Sequence, residues 1–280
     1  MAVRLASSQG RAVLVLGDAI ADVEQASGGR FPADPMAALA HWDAFASWAA
    51  GIGSGAATGA LDEVLLGPPV PRPAKVFAIG LNYKSHAEES GLPLPGKPMV
   101  FTKFPNCLVG PRADVRLTSD YVDWEVELVV VIGRGGRGIA EADALTHVAG
   151  YTVGQDISDR KLQFSDQPPQ FSMGKSADTF GPIGPALVSL DGVGDPDDLA
   201  LTCDVGGQRM QAARTSDMVF NVGQLIAHLS GYCTLAPGDV IFTGTPSGVG
   251  SGRQPRRYLK AGEEIVSTIE SIGTLRNRCA

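Results

Sequence analysis

The segment Trp124-Glu-Val-Glu-Leu-Val-Val-Val-Ile132 constrains the fold more than any other stretch of the chain. Successive side chains of a strand point to opposite faces. Trp124, Val126, Leu128, Val130 and Ile132 therefore share one face, and Glu125, Glu127, Val129 and Val131 the other. Both faces are apolar further along, which predicts a central strand with two carboxylates side by side at one end. Left unpaired in a buried strand, each would cost on the order of several kcal/mol of desolvation. A divalent cation relieves that cost, and hard oxygen ligands suit Mg²⁺, Mn²⁺ or Ca²⁺ better than zinc. An exposed strand end with two solvated glutamates fits the same spacing, and the motif by itself does not choose between them.

The surroundings of this strand read as mostly β. Strand-like runs cover residues 75–79, 98–103, 150–153, 199–205, 240–243 and 264–269, separated by turns rich in the chain's 35 glycines and 19 prolines. Helical patterns are few, over residues 85–90, 141–149 and 222–230. The prediction is an α+β, mostly β chain, a β-roll or barrel rather than a bundle. Residues 1–70 read as a small N-terminal α/β domain. A strand covers residues 13–16 and a helix residues 35–50, the latter carrying His41, Trp42, Phe45 and Trp48 as core. The proline-rich stretch Gly67-Pro-Pro-Val-Pro-Arg-Pro73 marks the boundary to a second domain over residues 71–280.

Composition narrows the function classes. A net charge of −7 argues against a nucleic-acid or anionic-membrane surface, yet leaves room for a small anionic substrate. The four cysteines are far apart, which speaks against a disulfide framework or zinc site and fits a reducing cytoplasm. No run approaches the 18 or so apolar residues of a membrane span. Gly133-Arg-Gly-Gly-Arg-Gly138, with Asp156 about 20 residues on, has the outline of a dinucleotide site. No helix opens at its third glycine and no βα alternation follows, so a nucleotide cofactor is not expected.

Six motifs stand in order along the chain, the acidic strand among them. They are Gly80-Leu-Asn-Tyr-Lys-Ser-His-Ala-Glu-Glu89; Phe101-Thr-Lys-Phe-Pro105; Asp123-Trp-Glu-Val-Glu-Leu128; Gly150-Tyr-Thr-Val-Gly-Gln-Asp-Ile-Ser-Asp-Arg160 with Gln163; Gly174-Lys-Ser-Ala-Asp178; and Pro237-Gly-Asp-Val-Ile-Phe-Thr-Gly-Thr-Pro-Ser-Gly-Val-Gly250. In this order, over roughly three-quarters of the chain, they resemble the fumarylacetoacetate hydrolase family, including its short acylpyruvase-like and diene-dioate isomerase-like members. The resemblance implies a β-roll catalytic domain, a homodimer and a Mg²⁺ or Mn²⁺ site at Glu125, Glu127 and Asp156. It also implies a lid with the pair His86 and Glu89, lysines at Lys103 and Lys175, a glutamine at Gln163 and a substrate loop from Thr243 to Thr245. The further acidic ligand of larger members has no clear equivalent here, so waters would complete the octahedron.

These residues suit a 2-oxo acid, whose carboxylate and keto oxygens chelate a metal that stabilises the enolate left when the bond to carbon 3 breaks. His86 and Glu89 stand i, i+3, on one face of a helix with Asn82 as N-cap and Gly91 as stop. The carboxylate would fix the imidazole so that it activates water. Lys175 would neutralise the enolate, and Gln163 and Thr245 would bind substrate oxygens, Thr245 through hydroxyl and backbone N–H. Lys103 is expected to bind substrate as well and would need an inward partner such as Glu89, while His147 and His228 read as structural. Residues 84–97 read as a hinged lid, and residues 166–173 would shape the pocket. The expected reaction is hydrolysis of an acylpyruvate or 2,4-diketo acid. Oxaloacetate decarboxylation, or isomerisation or decarboxylation of a muconate-type oxo acid, is the alternative on the same site.

Overall fold

The computed structural model describes residues 2–280. The acidic strand is central, as the alternation predicts. Val126–Ile132 is buried throughout and pairs antiparallel with Val148–Gln155 on one side and with Val240–Phe242 on the other. From Val148–Gln155 the large sheet continues through Gly181–Val188 to Arg4–Ser8, Arg11–Leu16, Ala19–Asp22 and Gly59–Ala60. In the other direction it passes from Val240–Phe242, through a parallel pairing, to Val76–Gly80 and ends at Met99–Thr102. The sheet has two free ends and does not close into a barrel. A separate antiparallel sheet runs Gln208–Arg214, Ala200–Val205, Glu264–Ile269, Gly273–Arg278. Alternate residues of Ala200–Val205 and Glu264–Ile269 are buried, as expected of strands with one face on the core.

The first 70 residues extend the large sheet, with Leu5 opposite Leu187. Their aromatic group joins the main hydrophobic cluster. Phe31, Trp42, Phe45 and Trp48 pack at centroid distances of 5.1–5.7 Å, favourable for tilted and edge-on rings. The helix expected over residues 35–50 is two helices, Pro35–Ala40 and Trp42–Ala49, broken at His41 (φ −126°, ψ 42°). The break turns Trp42 and Phe45 into the core. The expected helix over residues 141–149 is a 3-10 segment, Glu141–His147, because Val148 already begins the next strand.

The glycine-rich stretch after Ile132 opens the connection to the antiparallel strand Val148–Gln155 and packs closely against its neighbours. A Cβ on Gly133 would lie 2.8 Å from Trp42, and Gly136 pairs with Leu235. His147 bonds the Arg134 carbonyl and His228 packs on Tyr232. Among the described residues no helix is long and apolar enough to cross a membrane.

Candidate active site

Pairing register builds the site. Val126 stands opposite Gln155, which brings Asp156 beside Glu125, and the Asp156 N–H donates to the Glu125 carbonyl at 2.9 Å. Glu125, Glu127 and Asp156 are all buried, and each offers an oxygen within 4.8 Å of the others. Two ammonium groups enter this cluster. Lys175 Nζ donates to Glu125, to Asp156 and to the Ser158 hydroxyl at 2.7–2.8 Å. Lys103 Nζ donates to Asp156 at 2.7 Å and to the Lys175 carbonyl. Lys103 therefore pairs with Asp156, not with Glu89, and it lies behind the cluster instead of on the cavity wall. Arg160 supplies the third cation, reaching Asp123 (2.8 Å), Glu125 (2.5 Å) and the Gln163 carbonyl oxygen (2.9 Å).

Charge counting exposes an imbalance. Four buried carboxylates, Asp123, Glu125, Glu127 and Asp156, face three buried cations, Lys103, Arg160 and Lys175, so one negative charge is left over. It falls at Glu127, whose side-chain partner is the Gly244 N–H at 2.7 Å and which no ammonium or guanidinium reaches. Burial, with Asp156 and Glu125 nearby, pushes the Glu127 carboxyl well above its ordinary range. Burial would raise Glu125 as well, but Lys175 and Arg160 overcome it and hold that carboxyl down to about 2. Burial opposes the charge on Lys175, and Asp156 and Glu125 outweigh it and keep the ammonium above its usual value. A buried cluster of hard oxygen donors with surplus negative charge fits a divalent cation of the Mg²⁺ or Mn²⁺ kind.

The cluster opens on a cavity of about 290 Å³ lined among others by His86, Glu125, Arg160, Gln163, Lys175 and Thr245. His86 belongs to the helix Lys84–Glu89. Its Nδ1 lies 3.2 Å from Glu89, and the Gly248 N–H donates to the same carboxylate at 2.9 Å. Asn82 is not the cap. Its amide clamps Phe220 and Thr243, while Asp217 accepts from the Ser85 N–H and hydroxyl and so caps the helix from outside. Gly91, at φ +65°, ends the helix, with the Leu92 N–H returning to the Ala87 carbonyl. The indole N–H of Trp124 donates to the Gly248 carbonyl at 3.2 Å, and the Arg257 guanidinium stacks 5.2 Å from its ring.

Thr245 and Gln163 have only part of their capacity free. The Thr245 hydroxyl already donates to the Val126 carbonyl (2.9 Å) and accepts from Gln211 (2.8 Å). What Thr245 presents to a ligand is its backbone N–H, which has no partner among the described residues. Gln163 is buried, its carbonyl oxygen is taken by Arg160, and its amide N–H₂ is left to donate. Reasoning from sequence passed over Asp123, Arg160 and Gln211. Asp123 was detectable, since alternation puts it on the face of Glu125 and Glu127. Arg160, three residues before Gln163 on one helical turn, carried a weaker signal of the same kind.

Residues 75–280 match the family model "Fumarylacetoacetate (FAA) hydrolase C-terminal". The chain is 47% identical over 218 residues to the mitochondrial oxaloacetate tautomerase FAHD2A of Homo sapiens, covering 77% of this chain and 69% of that one. An HpcE-type protein of known structure from Mycobacterium smegmatis is 49% identical, with a TM-score of 0.94 over 99% of both chains. The maleylpyruvate hydrolase of Sphingobium sp. SYK-6, solved with manganese(II) ion and pyruvate, is 30% identical, with a TM-score of 0.83 over 99% of this chain and 98% of that one.

Proposed function

This chain belongs to the fumarylacetoacetate hydrolase family, and we propose that it is a Mg²⁺- or Mn²⁺-dependent hydrolase that splits a carbon–carbon bond in an acylpyruvate or related 2,4-diketo acid. The observation that carries the reading is the surplus carboxylate charge at Glu127, in a buried cluster facing the cavity that holds His86. Glu125, Glu127 and Asp156 would hold the ion. The related hydrolase solved with manganese(II) and pyruvate supports both the ion and the oxo-acid class. When bound, a divalent cation supplies Lewis-acid stabilisation of a developing enolate.

The protein groups do the rest. The Gln163 amide and the Thr245 backbone N–H are the free donors at the cavity for carboxylate and oxo oxygens, while the Lys175 ammonium, its three protons held by Glu125, Asp156 and Ser158, adds positive charge to the lining. With the Nδ1 proton directed at Glu89, His86 Nε2 is the free acceptor on the ring. Water adds to the distal carbonyl as Nε2 takes its proton. The bond between carbons 3 and 4 then breaks, and its electron pair passes to the pyruvate enolate. Protonation at carbon 3 gives pyruvate, and the acyl group leaves as a carboxylic acid. Lys103 acts at one remove, holding Asp156 and the Lys175 carbonyl in place.

A second reading, proton transfer at carbon 3 of oxaloacetate without attack by water, is favoured by the name of the human relative. One assay separates the two: acylpyruvates, diketo sugar acids and oxaloacetate with Mg²⁺ or EDTA, following diketo absorbance and pyruvate. Pyruvate released from an acylpyruvate, and lost with EDTA, in Glu127→Ala and by about 10²–10⁴-fold in His86→Ala, is expected. Enol–keto exchange of oxaloacetate with no pyruvate from any acylpyruvate would replace the first reading by the second. Activity indifferent to both EDTA and Glu127→Ala would overturn the metal site.

A further inference from the structure

The cavity has two unlike halves. All its charged lining groups, His86, Glu125, Arg160 and Lys175, belong to the carboxylate cluster and its catalytic pair. The other walls are Ile79, Leu81, Leu92, Met99, Phe101, Phe164 and Phe171, with Ser90 and Ser251 as the only hydroxyls there. Three of these rings form a continuous surface with a direction. The Lys175 ammonium lies 5.3 Å from the centre of Phe101, Phe101 meets Phe171 edge-on at 5.5 Å, and Phe171 meets Phe164 at 6.2 Å. The wall thus starts at the polar end and runs outward to Phe164, which is 53% exposed. Leu92, also on the lining, is 51% exposed. Large apolar side chains grouped at the mouth of a pocket are costly to the free protein and are satisfied by an apolar ligand.

The backbone is shaped to keep this wall. A Cβ on Gly80 would stand 2.1 Å from Met99 Cε, so a larger residue there would push the flexible end of the methionine aside. Leu81 is held at φ +53°, a conformation that a bulky side chain adopts at a cost. No carboxylate or cation lies on the apolar half to meet a second carboxylate, and hydroxyls of a sugar acid would be stripped of water against hydrocarbon. Arg160 borders both the cavity and an outer basin past Phe164, where Lys161 and Arg256 add further positive charge.

Resting on the reading of the site as one for 2-oxo acids, we propose that this chain selects substrates whose group beyond the oxo acid is apolar, an alkyl or aryl acyl tail lying along Phe101, Phe171 and Phe164. Short diacids such as oxaloacetate and polyhydroxylated oxo acids are selected against by the same wall. Phe101, Phe164, Phe171 and Met99 are the specificity-determining residues.

Binding tests this without turnover. Calorimetry on the full chain with Mg²⁺ would compare 2-oxobutanoate, 2-oxohexanoate and 2-oxooctanoate, with 2-oxoadipate as the carboxylated match of the six-carbon acid. Each added methylene should tighten Kd about fourfold, and 2-oxoadipate should bind more weakly than 2-oxohexanoate. In Phe171→Ser the ratio of Kd between the eight- and four-carbon acids should shrink; a ratio within one variant does not depend on how much protein folded. A flat series in the parent protein, a ratio unchanged in the variant, or tighter binding of 2-oxoadipate through Lys161 and Arg256 would each overturn the proposal. If the series holds while no acylpyruvate is cleaved, the hydrolytic reading fails and the tail selection stands.

Discussion

At the scale of single residues, the balance of charge around Glu127 has a measurable consequence. Glutamine keeps the shape and the bond from Gly244 but removes the unmatched charge. In EDTA, Glu127→Gln should therefore melt a few degrees above the parent, since about 1 kcal/mol moves the midpoint of a chain this size by roughly 2–4 °C. Added Mg²⁺ should raise the parent more than the variant, reversing or closing the gap. Calorimetric scans with and without Mg²⁺ check both, and a variant that melts lower in EDTA would show that Glu127 is not the residue bearing the surplus. The Glu125–Glu127 pair was legible from alternation alone, because a period of two needs only the sequence. The partners of Lys103 and Asn82 were not legible. Asp156, Lys175, Phe220 and Thr243 reach them across folds of the chain that no local spacing encodes.

At the scale of elements, strands with an uninterrupted apolar run were read and others were not: Gly181–Val188 is broken up by glycines and prolines, and Gln208–Arg214 is largely polar. The strands owe their identity to alternating or continuous burial, whereas the break at His41 and the early start of Val148–Gln155 are set by what the neighbouring sheet requires. The hairpin of Arg11–Leu16 with Ala19–Asp22 offers a clean pH test. Arg11 bonds Asp22 through two nitrogens, at 2.6 and 3.1 Å, and this bond above all holds the Asp22 carboxyl below its usual value. A carboxyl depressed in the folded state adds stability above its unfolded pKa and loses it as pH falls through the folded value. Asp22 also caps the helix Val23–Ala26, a role asparagine can keep. Asp22→Asn should therefore melt below the parent at neutral pH, with the difference vanishing at pH below the ordinary carboxylate range. A gap that persists in acid would assign the loss to something other than the ion pair.

At the scale of the molecule, one sheet joins the N-terminal strands to the strands that carry the carboxylates. Leu5 and Leu187 are register partners, and the aromatic group around Phe45 is continuous with the main core. Native-state amide exchange should find Arg4–Ser8 and Gly181–Val188 opening with the same free energy. Much faster exchange of Arg4–Ser8 would show that the first strands detach on their own. The sequence boundary near residue 70 was read from prolines, which record where the chain is stiff but not which strands pair across it.

Trp124 gives the molecule an optical consequence. Its indole is hydrogen-bonded to Gly248, whose N–H in turn holds Glu89, and it is stacked under a guanidinium. Trp42 and Trp48 lie in the aromatic group with Phe31 and Phe45, away from this relay. The emission of one tryptophan in three therefore registers the position of the Gly248 loop against a steady background. Should ligand binding shift the Glu89–Gly248 contact, the unlabelled protein is expected to report it as a change in its own fluorescence on titration with a 2-oxo acid and Mg²⁺.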